Sequence, residues 1–112
     1  PFNKVTLVGG KEHIFGLGIK NIAAMDGFKI NLELSKSIDQ ENNEINVDTS
    51  NWFKYIKGPY QLKENENIKI LLMVKIPKNT PKGRYIFDLK VNRESGNKAL
   101  YGNKQKIDIT VR

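Results

Sequence analysis

The sequence contains no cysteine and only one histidine, and each scarcity removes a class of chemistry. Without cysteine there is no disulfide framework, no thiolate metal site and no cysteine nucleophile. A single histidine cannot supply the histidine pair that many zinc sites use. No apolar run approaches the roughly 18 residues of a transmembrane helix, and no signal peptide is recognisable. These absences favour a scaffold over a catalyst.

Lysine dominates the charged residues. The 112 residues include 16 Lys and 3 Arg against 12 Asp and Glu, so the net charge is +7. Proteins that recognise nucleic acids favour arginine, because its planar guanidinium binds phosphate or guanine through two parallel hydrogen bonds. No arginine cluster occurs here. We therefore interpret the charge as a solvated surface with some affinity for an acidic envelope, and no nucleic-acid partner is predicted.

Apolar and polar residues alternate with a period of two along most of the chain, a pattern typical of half-buried strands. The length suits one domain over 1–112, and we find no convincing amphipathic helix. We predict an all-β, antiparallel immunoglobulin-like β-sandwich of about seven strands, with an OB-type barrel as the structural alternative. Its strands would be A (4–8), B (13–20), C (28–35), D (44–48), E (67–76), F (84–92) and G (104–111).

Turn signals fall between these strands. Gly9 and Gly10 separate the first two, and 95–97 separates the last two. The segment 80–83, Thr-Pro-Lys-Gly, fits a type I turn. A strand rather than a helix follows Gly10, so a hairpin turn is predicted there and a phosphate-binding loop is not.

The candidate chemical groups are sparse. An oxygen-rich loop has some calcium character through Asp39, Glu41, Asn43 and Asp48. It lacks the glycine and the final glutamate of an EF-hand, since Glu44 and Ser50 stand at those positions. His13 stands beside Glu12 at a strand start and is interpreted as an ordinary surface histidine, since no serine-containing elbow completes a triad. We therefore predict no catalytic residue, no metal and no cofactor.

Aromatic residues alternate with lysines between positions 52 and 63. The favoured interpretation is that Trp52 and one or two neighbours anchor the core of the sandwich. The alternative is a carbohydrate-binding accessory module, in which Trp52, Tyr55 and Tyr60 form an exposed platform for sugar rings. Exposure of Trp52 to solvent separates the two interpretations.

One apolar pattern falls on outward-facing positions. Leu71 and Met73 occupy the outward phase of strand E, and Ile14, Gly16 and Gly18 occupy that of strand B. Strands B and E are neighbours in an immunoglobulin-like sheet with A, so these residues would form one smooth patch. The hypothesis is that this face docks another domain, a filament subunit or a second copy. The alternative is that a local loop or a missing N-terminal segment covers it.

The second half of the chain resembles a known group of domains. Trp52, 62–66, 70–77 and 80–85 match the pattern of prokaryotic extracytoplasmic immunoglobulin-like and fibronectin-III-like modules, and 18–21 is similar to their "V-x-N" strand end. Domains of archaeal cell-surface, pilin-like and archaellum-stator proteins are similar in size. The resemblance implies a cell-surface, non-catalytic structural or protein-interaction module that docks to an envelope filament or surface-layer component.

The resemblance also bears on the parent protein. Because the sequence begins at Pro1, we expect a domain excised from a longer, membrane-anchored protein. Contact with a membrane would then occur only through a missing N-terminal anchor. The expected partner is a protein of the cell envelope or a second copy of the chain.

Overall fold

The alternating segments form eight strands in a computed structural model that describes residues 3–20, 25–63, 66–93 and 105–112. The strands are β1 (Asn3–Leu7), β2 (Glu12–Lys20), β3 (Met25–Ile38), β4 (Phe53–Lys54), β5 (Tyr60–Leu62), β6 (Asn67–Lys75), β7 (Gly83–Arg93) and β8 (Gln105–Val111). They make a five-stranded sheet, β1-β8-β7-β3-β5, and a three-stranded sheet, β2-β6-β4. The predicted all-β, immunoglobulin-like sandwich is confirmed. Among the described residues no helix is long and apolar enough to cross a membrane.

The core lies between the two sheets and takes the inward phase of each strand. In β6, for example, Ile70, Leu72 and Val74 are buried, whereas the residues between them face solvent. Trp52 and Tyr85 are the largest fully buried side chains. The Tyr85 hydroxyl donates a hydrogen bond to the Pro81 carbonyl at 2.7 Å, and burial raises the pKa of this tyrosine. A buried ring with a bonded hydroxyl therefore fixes the start of β7 to the preceding loop.

The first strand differs from the prediction in its partner. We expected it beside β2, but β1 pairs in parallel with β8 in the five-stranded sheet, with Asn3 opposite Ile107. The chain changes sheets at the Gly9–Gly10 turn, where the Gly10 amide donates to the Ile76 carbonyl at 2.7 Å. A Cβ on Gly9 would lie 2.4 Å from the Lys78 carbonyl oxygen. Glycine is needed there because the two backbones approach so closely.

The middle of the chain is less regular than the prediction of a strand at 44–48. That segment forms only an isolated bridge between Ile38 and Glu44, with the Ile45 amide donating to the Ser37 carbonyl at 3.0 Å. The short strand β4 pairs with β6 instead, and β5 returns to pair with the start of β3. A hydrogen-bonded turn closes at 77–80 rather than at 80–83. The predicted turn at 95–97 and the motif positions 21, 64 and 65 lie outside the described residues.

Candidate docking surface

The outward side chains of β2 and β6 form an apolar surface, which we call the β2/β6 patch. It comprises Ile14, Gly16, Gly18, Leu71 and Met73. The strand register places Ile14 opposite Met73 and Gly16 opposite Leu71. Ile14 is 59% exposed, Leu71 60% and Met73 37%. The structure therefore brings the five predicted residues together on one face.

The two glycines of the patch differ, because Gly18 is open to solvent and Gly16 is covered by a lysine side chain. A Cβ on Gly18 would have no heavy atom within 4 Å, so the space above that residue is open. A Cβ on Gly16 would lie 2.6 Å from Cε of Lys69, so the aliphatic end of that lysine lies over the glycine. Small residues beside exposed large ones give a stepped apolar surface that a complementary ridge can enter.

Lysines surround the patch. Lys69 and Lys75 flank its β6 residues, and Lys54 of β4 lies opposite Met73. Nζ of Lys75 is 3.9 Å from Glu12 Oε1, an exposed pair that contributes little to stability. A groove of about 310 Å³ adjoins the patch at Met73 and is also lined by Lys54 and Lys75. The apolar surface thus has a mainly positive rim.

The sequence did not identify Lys54 as part of this surface. Its strand, β4, has only two residues and carries no alternation of its own. No local signal could have placed Lys54 beside Met73, because their pairing joins residues far apart in the chain.

The opposite face of the sandwich has a different character. On the five-stranded sheet, Arg84 contacts Asp108 through two nitrogens, with the Nη2 to Oδ2 distance 2.6 Å. These hydrogen bonds raise the pKa of Arg84. Cross-strand ion pairs also join Lys106 to Asp88 at 3.3 Å and Lys90 to Glu33 at 2.9 Å. Charges on this face are largely matched within the domain, whereas the β2/β6 patch exposes three large apolar side chains.

The alternative platform of exposed aromatic rings is not present. Trp52 is 1% exposed, and its ring centroid lies 4.8 Å from that of Tyr85. The half-buried Tyr55 accepts a hydrogen bond from the Leu32 amide at 3.1 Å. Tyr60 stacks on Phe28 and donates to the Ile56 carbonyl. The favoured interpretation, that Trp52 anchors the core, is confirmed. The alternative of a sugar platform at these three residues is wrong, because packing in the core and against β3 engages the rings.

Fluorescence tests the burial of Trp52, the one tryptophan in the chain. We expect blue-shifted emission and weak quenching by acrylamide in the native protein, because the core surrounds the indole. Unfolding in guanidinium should red-shift the emission and raise the quenching constant to that of a free indole. Equal quenching in native and unfolded protein would contradict the burial and reopen the carbohydrate interpretation.

The remaining candidate groups serve local structure. Asp39 Oδ1 accepts hydrogen bonds from the amides of Glu41 and Asn43 at 2.8 and 2.9 Å. Asp48 Oδ1 accepts one from the Ser50 amide at 2.9 Å, and this bond lowers the pKa of Asp48. Within the described ranges no cluster of three or more His, Asp or Glu could hold a metal ion. His13 is half-buried and packs edge-on against Phe15, with ring centroids 4.7 Å apart.

Comparison with known proteins finds 28 matching chains among the solved structures, and two of them illustrate the shared fold. A family 123 glycoside hydrolase from Clostridium perfringens, studied for glycolipid glycan hydrolysis, matches 99% of this chain with a TM-score of 0.66 and 15% identity. The chain spans only 23% of that protein. The ASH/PapD-like domain 7 of human CEP192 matches over 100% of this chain and 81% of its own length, with a TM-score of 0.55 and 13% identity.

No protein-family model and no curated protein matches the chain. At identities of 13 to 15%, the two structures show a shared fold and nothing more. They support the immunoglobulin-like part of the resemblance described above.

Proposed function

We propose that this domain is a non-catalytic protein-interaction module that docks through the β2/β6 patch. The observation that carries the proposal is the exposure of Ile14, Leu71 and Met73 side by side on one sheet face. Alternating strands normally place polar residues on an outward face, and the five-stranded sheet does so. Contiguous exposed apolar side chains rimmed by charge are typical of protein-binding surfaces.

The rim indicates the chemistry of the partner. Lys54, Lys69 and Lys75 stand around the apolar residues, and Glu12 is the acidic residue among them. A partner with an apolar ridge bordered by carboxylates would bury Leu71 and Met73 while matching the lysines. Complementary charge speeds association and selects the partner, whereas burial of the apolar residues supplies most of the affinity.

The proposed location is the extracytoplasmic cell envelope, where the domain would dock to a filament or surface-layer component. This part of the proposal is supported by the sequence resemblance to archaeal and bacterial surface modules. A membrane anchor on a longer parent protein would hold the domain at the surface. The net charge of +7 suits an acidic envelope.

Site-specific photocrosslinking in the source cells tests the proposal. A photoreactive amino acid at position 71 should capture an envelope protein, because Leu71 lies at the centre of the patch. The same group at Thr110, exposed on the opposite sheet, is the matched control. The captured protein is then purified and its affinity for the domain is measured directly.

The substitution Leu71→Lys should weaken this binding about tenfold or more, since it places a charge at the centre of an apolar contact. Thr110→Lys should leave the affinity unchanged, and both variants should retain the native thermal transition. Equal crosslinking from positions 71 and 110, or unchanged affinity for Leu71→Lys, would overturn the proposed function.

A further inference from the structure

The strand β2 has an open edge. It pairs with β6 along all nine of its residues, in an unbroken antiparallel register from Glu12 to Lys20. In the part of the chain that the structure describes, no strand pairs with its other side. A long regular edge presents a row of backbone donors and acceptors to any strand that can reach it.

The other three edge strands are protected in ways that β2 is not. The strands β4 and β5 have two and three residues, too short to template a partner. The five-residue β1 carries Lys4 near its centre. In β2, by contrast, 13–19 contains no lysine, arginine, carboxylate or proline, and its register has no bulge. Natural edge strands usually carry at least one such feature to prevent pairing.

The hydrogen bonds indicate which backbone groups face the open side. The Ile76 amide donates to the Lys11 carbonyl. The backbone N–H and C=O groups of odd-numbered residues at this end of β2 therefore point toward β6. The carbonyl of Gly18 instead accepts a bond from Gln105 Nε2 at 2.9 Å, on the side away from β6. This bond uses one lone pair of the carbonyl oxygen and leaves the second for the amide of a neighbouring strand. Backbone direction alternates along a strand. The backbone groups of Ile14, Gly16 and Gly18 therefore face the open edge.

We infer that β2 pairs antiparallel with β2 of a second copy of this chain, about a two-fold axis at Gly16. In this register Ile14 of one copy lies opposite Gly18 of the other. The exposed isoleucine meets a position with no heavy atom within 4 Å of where a Cβ would be. Glu12 and Lys20, the oppositely charged end residues of β2, also become directly opposed.

This register is the one that pairs the whole strand. A shift of the axis by one residue leaves unpaired residues at both ends and separates Glu12 from Lys20. The contact is isologous, so the two copies occupy each other's open edge and the assembly closes as a dimer. The three-stranded sheets would join into one sheet of six strands, with the two β2/β6 patches on the same face. The inference does not depend on the proposed function.

Sedimentation equilibrium of the 112-residue chain tests the pairing. We expect a monomer–dimer equilibrium at concentrations up to about 1 mM. Gly18→Pro removes an edge N–H and should weaken dimerisation about tenfold or more, since the loss occurs twice in the symmetric dimer. Gly18→Ala also adds a Cβ but keeps the backbone N–H, so this variant should still dimerise. Circular dichroism checks that both variants fold.

Charge exchange tests the register and does not depend on the proline variant. Glu12→Lys and Lys20→Glu should each weaken homodimerisation, because residues of like charge then occupy the opposed positions at both ends. An equimolar mixture of the two variants should form a heterodimer, in which opposite charges face each other again. Glu12→Lys also removes the exposed ion pair between Glu12 and Lys75 within one chain. That pair contributes little to stability, so its loss does not affect the comparison of the two variants.

Three outcomes would overturn the inference. A wild-type chain that stays monomeric throughout the concentration range would do so, as would equal dimerisation of Gly18→Pro and Gly18→Ala. Dissociation by Leu71→Lys with no effect of Gly18→Pro would show that copies meet through the patch instead. A monomeric chain that still crosslinks its partner from position 71 would leave the proposed function intact.

Discussion

Trp52→Ala is expected to lower the free energy of unfolding by about 3–5 kcal/mol, the range for deleting a fully buried large aromatic side chain. The indole is 1% exposed and lies between the sheets, with its ring centroid 4.8 Å from that of Tyr85 and 5.8 Å from that of Phe87. Alanine would leave a cavity that strands from both sheets border, so the backbone cannot easily collapse into it.

Urea unfolding followed by circular dichroism measures this loss, since the signal does not depend on the tryptophan. Trp52→Phe is the matched control. It keeps an aromatic ring and removes a buried indole N–H that has no hydrogen-bond partner among the described residues. Because that N–H costs free energy in the native state, phenylalanine should be clearly less destabilising than alanine. Equal losses for the two variants would contradict the central packing of Trp52.

Gly83→Ala is expected to lower the free energy of unfolding by about 3 kcal/mol, the upper part of the range for forcing atoms into a packed site. A Cβ on Gly83 would lie 2.3 Å from the Ile38 carbonyl oxygen and 2.5 Å from Ile45 Cδ1. The first contact is with backbone, which a side-chain rotation cannot relieve. The pairing of β3 with the start of β7 would have to shift.

Gly18→Ala provides the control for this prediction. The same methyl group at Gly18 meets no heavy atom within 4 Å, so the change in unfolding free energy should stay within about 0.5 kcal/mol. Both glycines lie in strands, but Gly83 has a φ of 159°, so backbone strain adds to the expected loss at that position. Similar losses at the two positions would show that the approach of residue 83 to β3 is not the cause.

The period-two alternation was enough to predict the sandwich and the faces of its long strands. In β6 the phase of the pattern separates Leu72, which is buried, from Leu71, which is 60% exposed. The same reasoning placed Ile14, Gly16 and Gly18 on the outer face of β2. Side-chain direction in a strand is a local property, which is why sequence sufficed to assemble the β2/β6 patch.

Strand partners were harder to predict, because hydrogen bonding between distant segments leaves no mark on local alternation. The pattern of β1 is the same whether it pairs with β2 or with β8. In the structure it pairs with β8, and the chain then passes close to the backbone of Lys78 at Gly9. The aromatic segment was ambiguous for a related reason, since a ring beside a lysine can face the core or solvent. Only the tertiary contacts of Trp52 show that its ring faces the core rather than solvent.

The parallel pairing of β1 with β8 also determines how the domain would carry mechanical load. Asn3, at the beginning of β1, lies opposite Ile107, and Leu7, at its end, lies opposite Val111. A pull on β1 from its beginning and on β8 from its end would slide the two strands along each other. The bonds between them would then share the force and break together rather than one after another. The fold thus has the geometry of a shear clamp between its first and last strands.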